Sequence, residues 1–210
     1  MNAMNTATKL GRPPLRERGR PREFDVDAAL DRAALYFREH GYNGVSIADL
    51  SDALKLSSGS IYKAFHSKHG LFSAALDRYV SNRGEKLGEI TESQESGREK
   101  LRRILTFYAE SSHTAEGQYG CLVLVGAVEL ASTDEEISSK VAAALASNER
   151  RLNNAIVQGQ KDGSISKDID AQTTAKLMLA LIQGMRVLGK TGQNRDAMMA
   201  MVDAAMKILD

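Results

Sequence analysis

Leu56-Ser57-Ser58-Gly59-Ser60-Ile61-Tyr62-Lys63-Ala64-Phe65-His66 is the stretch that decides the fold of this 210-residue chain. Ser57 is a good helix N-cap, because its hydroxyl can accept from a free backbone N–H of the first turn. Ile61 and Phe65 stand at i and i+4 and define a single buried edge. Ser58, Ser60, Tyr62, Lys63 and His66 point elsewhere. Just upstream, Ser46 can cap another short helix whose Ile47, Leu50 and Leu54 face inward. Lys55-Leu56-Ser57 is a tight connection between the two. Before them, Asp25 can cap a helix to about His40, with Leu30, Ala33, Ala34 and Phe37 on one face. Gly41 stops that helix and Asn43-Gly44 turns the chain. Two short helices joined by a three- or four-residue turn and packed on a longer one make a helix-turn-helix unit.

The pattern stays helical to the C-terminus. Ser67 can cap a fourth helix that ends near the polar stretch Glu92–Gly97. Leu101, Ile104, Leu105 and Tyr108 form the next stripe. Ser111–Gly120 reads as a polar loop. Cys121–Ala131 reads as a short helix, apolar on most sides and therefore expected to be buried. Asp134 to about Lys161 is a long amphipathic helix ended by Asp162-Gly163. Asp170 can cap a helix to about Gly189, and a last helix spans about Asn194 to Leu209. The three prolines, Pro13, Pro14 and Pro21, all precede this body. A long proline-free segment with 3.6-residue periodicity predicts an all-α fold.

Charge is unevenly placed. The net charge is only +1, yet Lys9 to Arg22 carries six cationic residues against Glu17. A basic arm on a slightly acidic body points to a polyanionic partner, the alternative being a solvated tail. The arm repeats Gly-Arg-Pro at residues 11–13 and 19–21. Arg20 and Arg22 can either enter a minor groove or tether phosphates. No apolar run approaches the ~18–20 residues that cross a bilayer. A single cysteine, Cys121, forms no intrachain disulfide. These features favour a reducing cytoplasm and no membrane partner.

In a helix-turn-helix the second helix enters the major groove with its N-terminal residues nearest the bases. The hydroxyls of Ser57, Ser58 and Ser60 suit base edges, while Tyr62, Lys63 and Lys68 suit phosphates. Taken together, residues 41–50 (GYNGVSIADL), 56–65 (LSSGSIYKAF) and 67–72 (SKHGLF) resemble the N-terminal domain of the TetR/AcrR family of regulators. The likeness covers about residues 24–80 in order, spacing and residue type. The turn often carries Gly in that family where this chain has Lys55, which costs about 1 kcal/mol if left-handed. The resemblance implies an all-helical homodimer on double-stranded operator DNA, with contacts from Ser46, Ser57, Ser58, Ser60, Tyr62, Lys63, His66 and Lys68. It implies a basic arm over residues 1–23, a reading head over 24–70, and a helical effector-binding and dimerisation domain over 71–210. It also implies a ligand-responsive repressor released by a small molecule.

The C-terminal half is similar to one branch of the same family at Gly120-Cys121-Leu122 and from Asp162 to Leu188. That likeness assigns the dimer interface to the last two helices. Leu177–Ile182 is apolar all round and must be covered twice. Six of the eight methionines lie between Met178 and Met206, either as an adaptable interface or as a monomer's core. Phe107, Tyr108, Cys121, Leu122 and Val125 are candidates for an effector pocket, with plain core the competing reading. Cys121 at a helix start is either a redox or electrophile sensor or a small buried hydrophobe. His66 and His69, at i and i+3, lack a third ligand nearby, so neither a metal nor a cofactor is expected. No phosphate-binding glycine loop, HExxH or nucleophile–base order is present, so an enzyme is not expected.

Overall fold

The computed structural model describes residues 24–210. The arm, with Arg20 and Arg22, lies outside the described residues. Among the described residues the chain is all-helical: α1 (Val26–His40), α2 (Ile47–Leu54), α3 (Ser58–Phe65), α4 (Lys68–Thr91), α5 (Gly97–Glu110), α6 (Thr114–Tyr119), α7 (Leu122–Glu129), α8 (Glu135–Asp162), α9 (Ala171–Gly189) and α10 (Arg195–Met206).

Most of these helices begin where a short polar side chain satisfies a free N–H. Asp25, Ser57, Ser67, Asp134, Asp170 and Asn194 each accept from the residue three positions on. Ser46 and Asp49 form a reciprocal capping box. Each such cap contributes about 1 kcal/mol, so the sequence sets the helix starts locally.

Two apolar cores result. One gathers α1, α2, α3 and the first half of α4 around Phe37, Leu50, Ile61 and Phe72, and reaches Leu122 and Ile137 in the body. The other joins α5, α8, α9 and α10 around Leu105, Leu152, Ile182 and Val202. The 24-residue α4 belongs to both, giving Leu71 to Tyr79 to the first and Leu87 and Ile90 to the second. In the second core α5 and α8 cross with almost no gap. A Cβ on Gly97 would stand 2.0 Å from the Gly159 nitrogen.

Two expectations are corrected. The segment Ser111–Gly120 is not simply a loop, since it contains α6. That helix has no side-chain cap and enters through Thr114 at φ 62°. Long-range contacts to its Glu116 hold it instead, and these leave no local signal. Nor is α7 buried all round: Leu122 and Gly126 are, but Val128 is 79% exposed. The helix has eight residues and packs against α1, α4 and α8, which leaves Val128 on its remaining side.

Gly97→Ala is expected to lower stability by about 1–3 kcal/mol, the usual cost of overpacking. A thermal melt checks this, at about 2–4 °C per kcal/mol for a chain of this size.

Candidate nucleic-acid interface and central cavity

The turn between α2 and α3 is closed by Lys55, which is left-handed at φ 54° and ψ 44°. Leu56 N–H donates to the Ser51 carbonyl at 3.1 Å, and the Ser51 hydroxyl donates to the Leu56 carbonyl. Ser57 then caps α3, its hydroxyl accepting from Ser60 N–H at 3.1 Å and lying 2.9 Å from the Ser60 hydroxyl. Ile61 and Phe65 fix the helix to the core, with Phe24 6.4 Å from the Phe65 ring. The opposite side presents Tyr62, Lys63 and His66, all exposed, behind a leading turn of Ser57, Ser58, Gly59 and Ser60. Gly59 is not demanded by the protein itself, since a Cβ there would meet only the Ser57 hydroxyl at 3.8 Å. The leading turn of α3 is therefore smooth on its outer side.

Ser46 and Lys68 are engaged internally. The Ser46 N–H and hydroxyl both donate to the Asp49 carboxylate, at 2.8 and 2.6 Å. These bonds, the hydroxyl's first, hold the Asp49 carboxyl below its usual range. Lys68 Nζ donates to the carbonyls of Tyr42 and Val45 at 3.1 and 2.8 Å, 4.2 Å above the Tyr42 ring. It pins the α1–α2 turn. His69 lies 2.6 Å from the Asp134 carboxylate.

The reading head is tied to the body at three points, all long-range and without a local sequence signal. Glu129 accepts from the N–H groups of Tyr42 and Asn43 at 3.0 and 2.8 Å. Arg38, buried at the end of α1, donates to the Gly120 carbonyl at 2.9 Å and to the Glu116 carboxylate at 2.7 Å. Lys190, just after α9, donates to the Arg38 carbonyl at 3.1 Å. The Gly120 carbonyl also accepts from Arg186 of α9 at 2.5 Å. Gly120 itself sits at φ 84°, a conformation that favours glycine.

Arg186 forms part of the wall of a cavity of about 640 Å³ among α4, α5, α7, α8 and α9. Tyr79 and Arg83 enter it from α4, Tyr108 from α5, Cys121 from the start of α7, and Arg151 from α8. Burial pushes the Tyr79 hydroxyl up to about 12 and raises that of Tyr108, so both are neutral donors at physiological pH. Of the five sequence candidates, Tyr108 and Cys121 line this space. Phe107 does not: it lies edge-on to Tyr108 at 5.4 Å under the Arg83 guanidinium. Leu122 and Val125 pack into the head-side core instead. At the start of α7, Cys121 and Val123 turn to the cavity and Leu122 turns away. An all-apolar helix offers no periodicity from which to read that phase.

A short α2 and α3 joined by a left-handed turn, with α3's polar side outward, define a helix-turn-helix DNA-binding protein. Residues 29–75 match the family profile described as bacterial regulatory proteins, tetR family. Residues 97–205 match that of the tetracyclin repressor-like C-terminal domain. The chain therefore belongs to the TetR family of transcriptional regulators. It is 29% identical to the HTH-type transcriptional repressor ComR of Escherichia coli over 92% of each chain. It is 36% identical to the repressor BdcR of the same organism over 51% of this chain and 55% of BdcR. A cysteine variant of the TetR family regulator CifR, solved with 26-bp operator DNA, superposes with a TM-score of 0.81. The identity there is 30%, over 91% of this chain and all of that one.

Lys55→Gly is expected to raise stability by about 1 kcal/mol by relieving the left-handed lysine, read from a thermal melt. Gly59→Leu should leave the melting temperature unchanged or higher, since Gly is the poorer helix former. The same change should weaken binding to a duplex selected from a random library by about tenfold or more. Full-affinity binding by Gly59→Leu would remove α3 from the groove.

Proposed function

We propose that this chain is a cytoplasmic homodimeric repressor that binds a palindromic operator and is released by a small molecule in the central cavity. The observation that carries the reading is the Gly120 carbonyl, shared by Arg38 of the reading head and Arg186 of the cavity wall. A ligand that changes how Arg186 is engaged acts on the same acceptor that seats α1. Residues 24–70 are the reading head and 71–210 the sensing and dimerisation domain. Ser57, Ser58 and Ser60 meet base edges, and Tyr62, Lys63 and His66 meet base edges or phosphates. Ser46 and Lys68 contribute by fixing the turns on which the head depends. Arg20 and Arg22 of the arm add phosphate or minor-groove contacts. The activity is binding and release, with no turnover.

A dimer is supported by an apolar stripe on α9. Leu177 and Leu188 are 51% and 39% exposed, Gly184 between them has open space, and Ile208 beyond α10 is 47% exposed. Two heads so joined match half-sites about one helical turn apart, and a ligand favouring another spacing lowers DNA affinity by its own coupling factor. A second reading, release by an electrophile, is favoured by the place of Cys121 in the cavity wall next to Gly120. N-ethylmaleimide tests it: the sulfur adds to one carbon of the maleimide double bond and the proton goes to the other. Wild-type protein should then lose DNA, and Cys121→Ser should keep it.

Fluorescence anisotropy on duplexes tiling the region upstream of this protein's gene is expected to find one fragment bound about a thousandfold above a scrambled control. Equal, weak binding to all fragments and to a genome-wide selection would sink the repressor reading. Sedimentation should give twice the 22.9 kDa chain mass. Leu188→Arg should give monomers with most of the operator affinity lost.

A further inference from the structure

The cavity wall carries three guanidinium groups, those of Arg83, Arg151 and Arg186. Among the described residues, arginine ion pairs are made by Arg38, Arg78, Arg98, Arg102, Arg103 and Arg195, and by none of these three. The wall's carboxylates, Glu85, Glu89 and Glu92, are all solvent-exposed at its rim. The interior is therefore cationic. Burying guanidinium groups without a counter-charge is costly, and a bound anion offsets that cost.

Free donors stand in the same place. Arg186 is 1% exposed; it donates to the carbonyls of Ser111 and Gly120, but its Nε has no partner among the described residues. Tyr79 is 9% exposed and its hydroxyl is likewise unpartnered. Arg83 donates to the Ser111 hydroxyl at 3.1 Å, its guanidinium lying 4.7, 5.0 and 5.5 Å from the Phe107, Tyr108 and Tyr79 rings. Gln183 is also unpartnered at its amide oxygen, and turning that amide presents its NH₂ instead. Leu87, Val123, Ala144 and Leu145 give the wall an apolar side, with Ser81, Ser147 and Asn148 also in the lining.

We propose that the cavity binds an amphipathic organic acid, its carboxylate held by Arg83, Tyr79 and the Nε of Arg186 and its apolar body against Leu87, Val123 and Leu145. The proposal rests on the reading that this cavity is the effector site and assigns that effector's chemical class. A carboxylate matches the donor count: two oxygens with about four lone-pair sites face a few directed N–H and O–H groups. A phosphate monoester brings a third terminal oxygen, and inorganic phosphate leaves the apolar wall uncovered. A cation is repelled, and a neutral amide leaves the guanidinium charge uncompensated.

The test uses the full chain with hexanoate, decanoate and phenylacetate, their primary amides, and inorganic phosphate, followed by thermal shift and by operator anisotropy. At least one acid should raise the melting temperature and release DNA at concentrations where its amide does neither. Arg83→Gln should weaken that acid by about tenfold or more, as expected for a charge-assisted bond. Tyr79→Phe, which removes only an unpartnered hydroxyl, should weaken it several-fold and keeps the test available if Arg83→Gln fails to fold. Equal binding of acid and amide, protection by phosphate equal to that by the acids, or no binding of any acid overturns the proposal. Should an amide release DNA, the effector-site reading stands and the acid assignment falls. Should an acid bind without changing operator affinity, the acid assignment stands and the effector-site reading falls.

Discussion

The Gly120 carbonyl oxygen has two lone pairs, and two buried arginines from opposite ends of the chain use them. Arg38 comes from the first helix and Arg186 from the ninth, 82 and 66 residues away from that acceptor. Both donors are charged, so each bond contributes more than a neutral one. Arg38 also has the Glu116 carboxylate, whereas among the described residues Arg186 has only neutral acceptors. The backbone must reach this position at φ 84°, with the Lys190 stem packed where a Cβ would stand. Removing either arginine would leave the other charge and the carbonyl poorly matched in a dry environment. The seat of the reading head on the body is therefore a polar arrangement that is stable only when complete.

Around it the structure divides its apolar surface in two. The head core and the body core share α4, whose ends lie in different cores. A helix of this length spans about 36 Å and bends little, so repacking at one end is felt at the other. The cavity opens along the middle of α4, where Tyr79, Arg83 and Leu87 succeed one another at helical spacing. It sits where the two cores part, so filling it need not disturb the centre of either.

Much of this was legible in the sequence because it is local. Asp25, Ser46, Ser57, Ser67, Asp134, Asp170 and Asn194 announce helix starts within four residues, and the structure begins its helices there. Lys55 was legible as a left-handed turn residue only through the family resemblance, which often has Gly at that place; it is left-handed in the structure. The start of α6 was not legible, because its N-cap His113 makes no side-chain cap and the helix is held by Arg38 from 78 residues away. The face that α7 buries was hidden by its uniform apolarity. The cavity was half legible: Tyr108 and Cys121 line it, but Phe107, Leu122 and Val125 do not. Its arginines carry no local signal, since an arginine in a helical pattern ordinarily reads as solvated, and only long-range packing turns Arg83 and Arg186 inward.

The inward-turned Arg186 bears on how the two parts of the molecule can communicate. A ligand shifts an equilibrium only by its difference in affinity between two states. Arg186 has two ends with different commitments: its terminal nitrogens hold the Ser111 and Gly120 carbonyls, and its Nε has no partner among the described residues. On the anion reading, a carboxylate that draws the guanidinium toward Arg83 competes with Gly120 for the same charge. Weakening that bond leaves Arg38 to hold the carbonyl alone, and Arg38 is one of the three points at which the head is tied to the body. The state that binds the anion best is then the one in which the head is least firmly placed. Reciprocity follows: operator DNA, by holding α1 in place, must lower the affinity for the acid by the same factor.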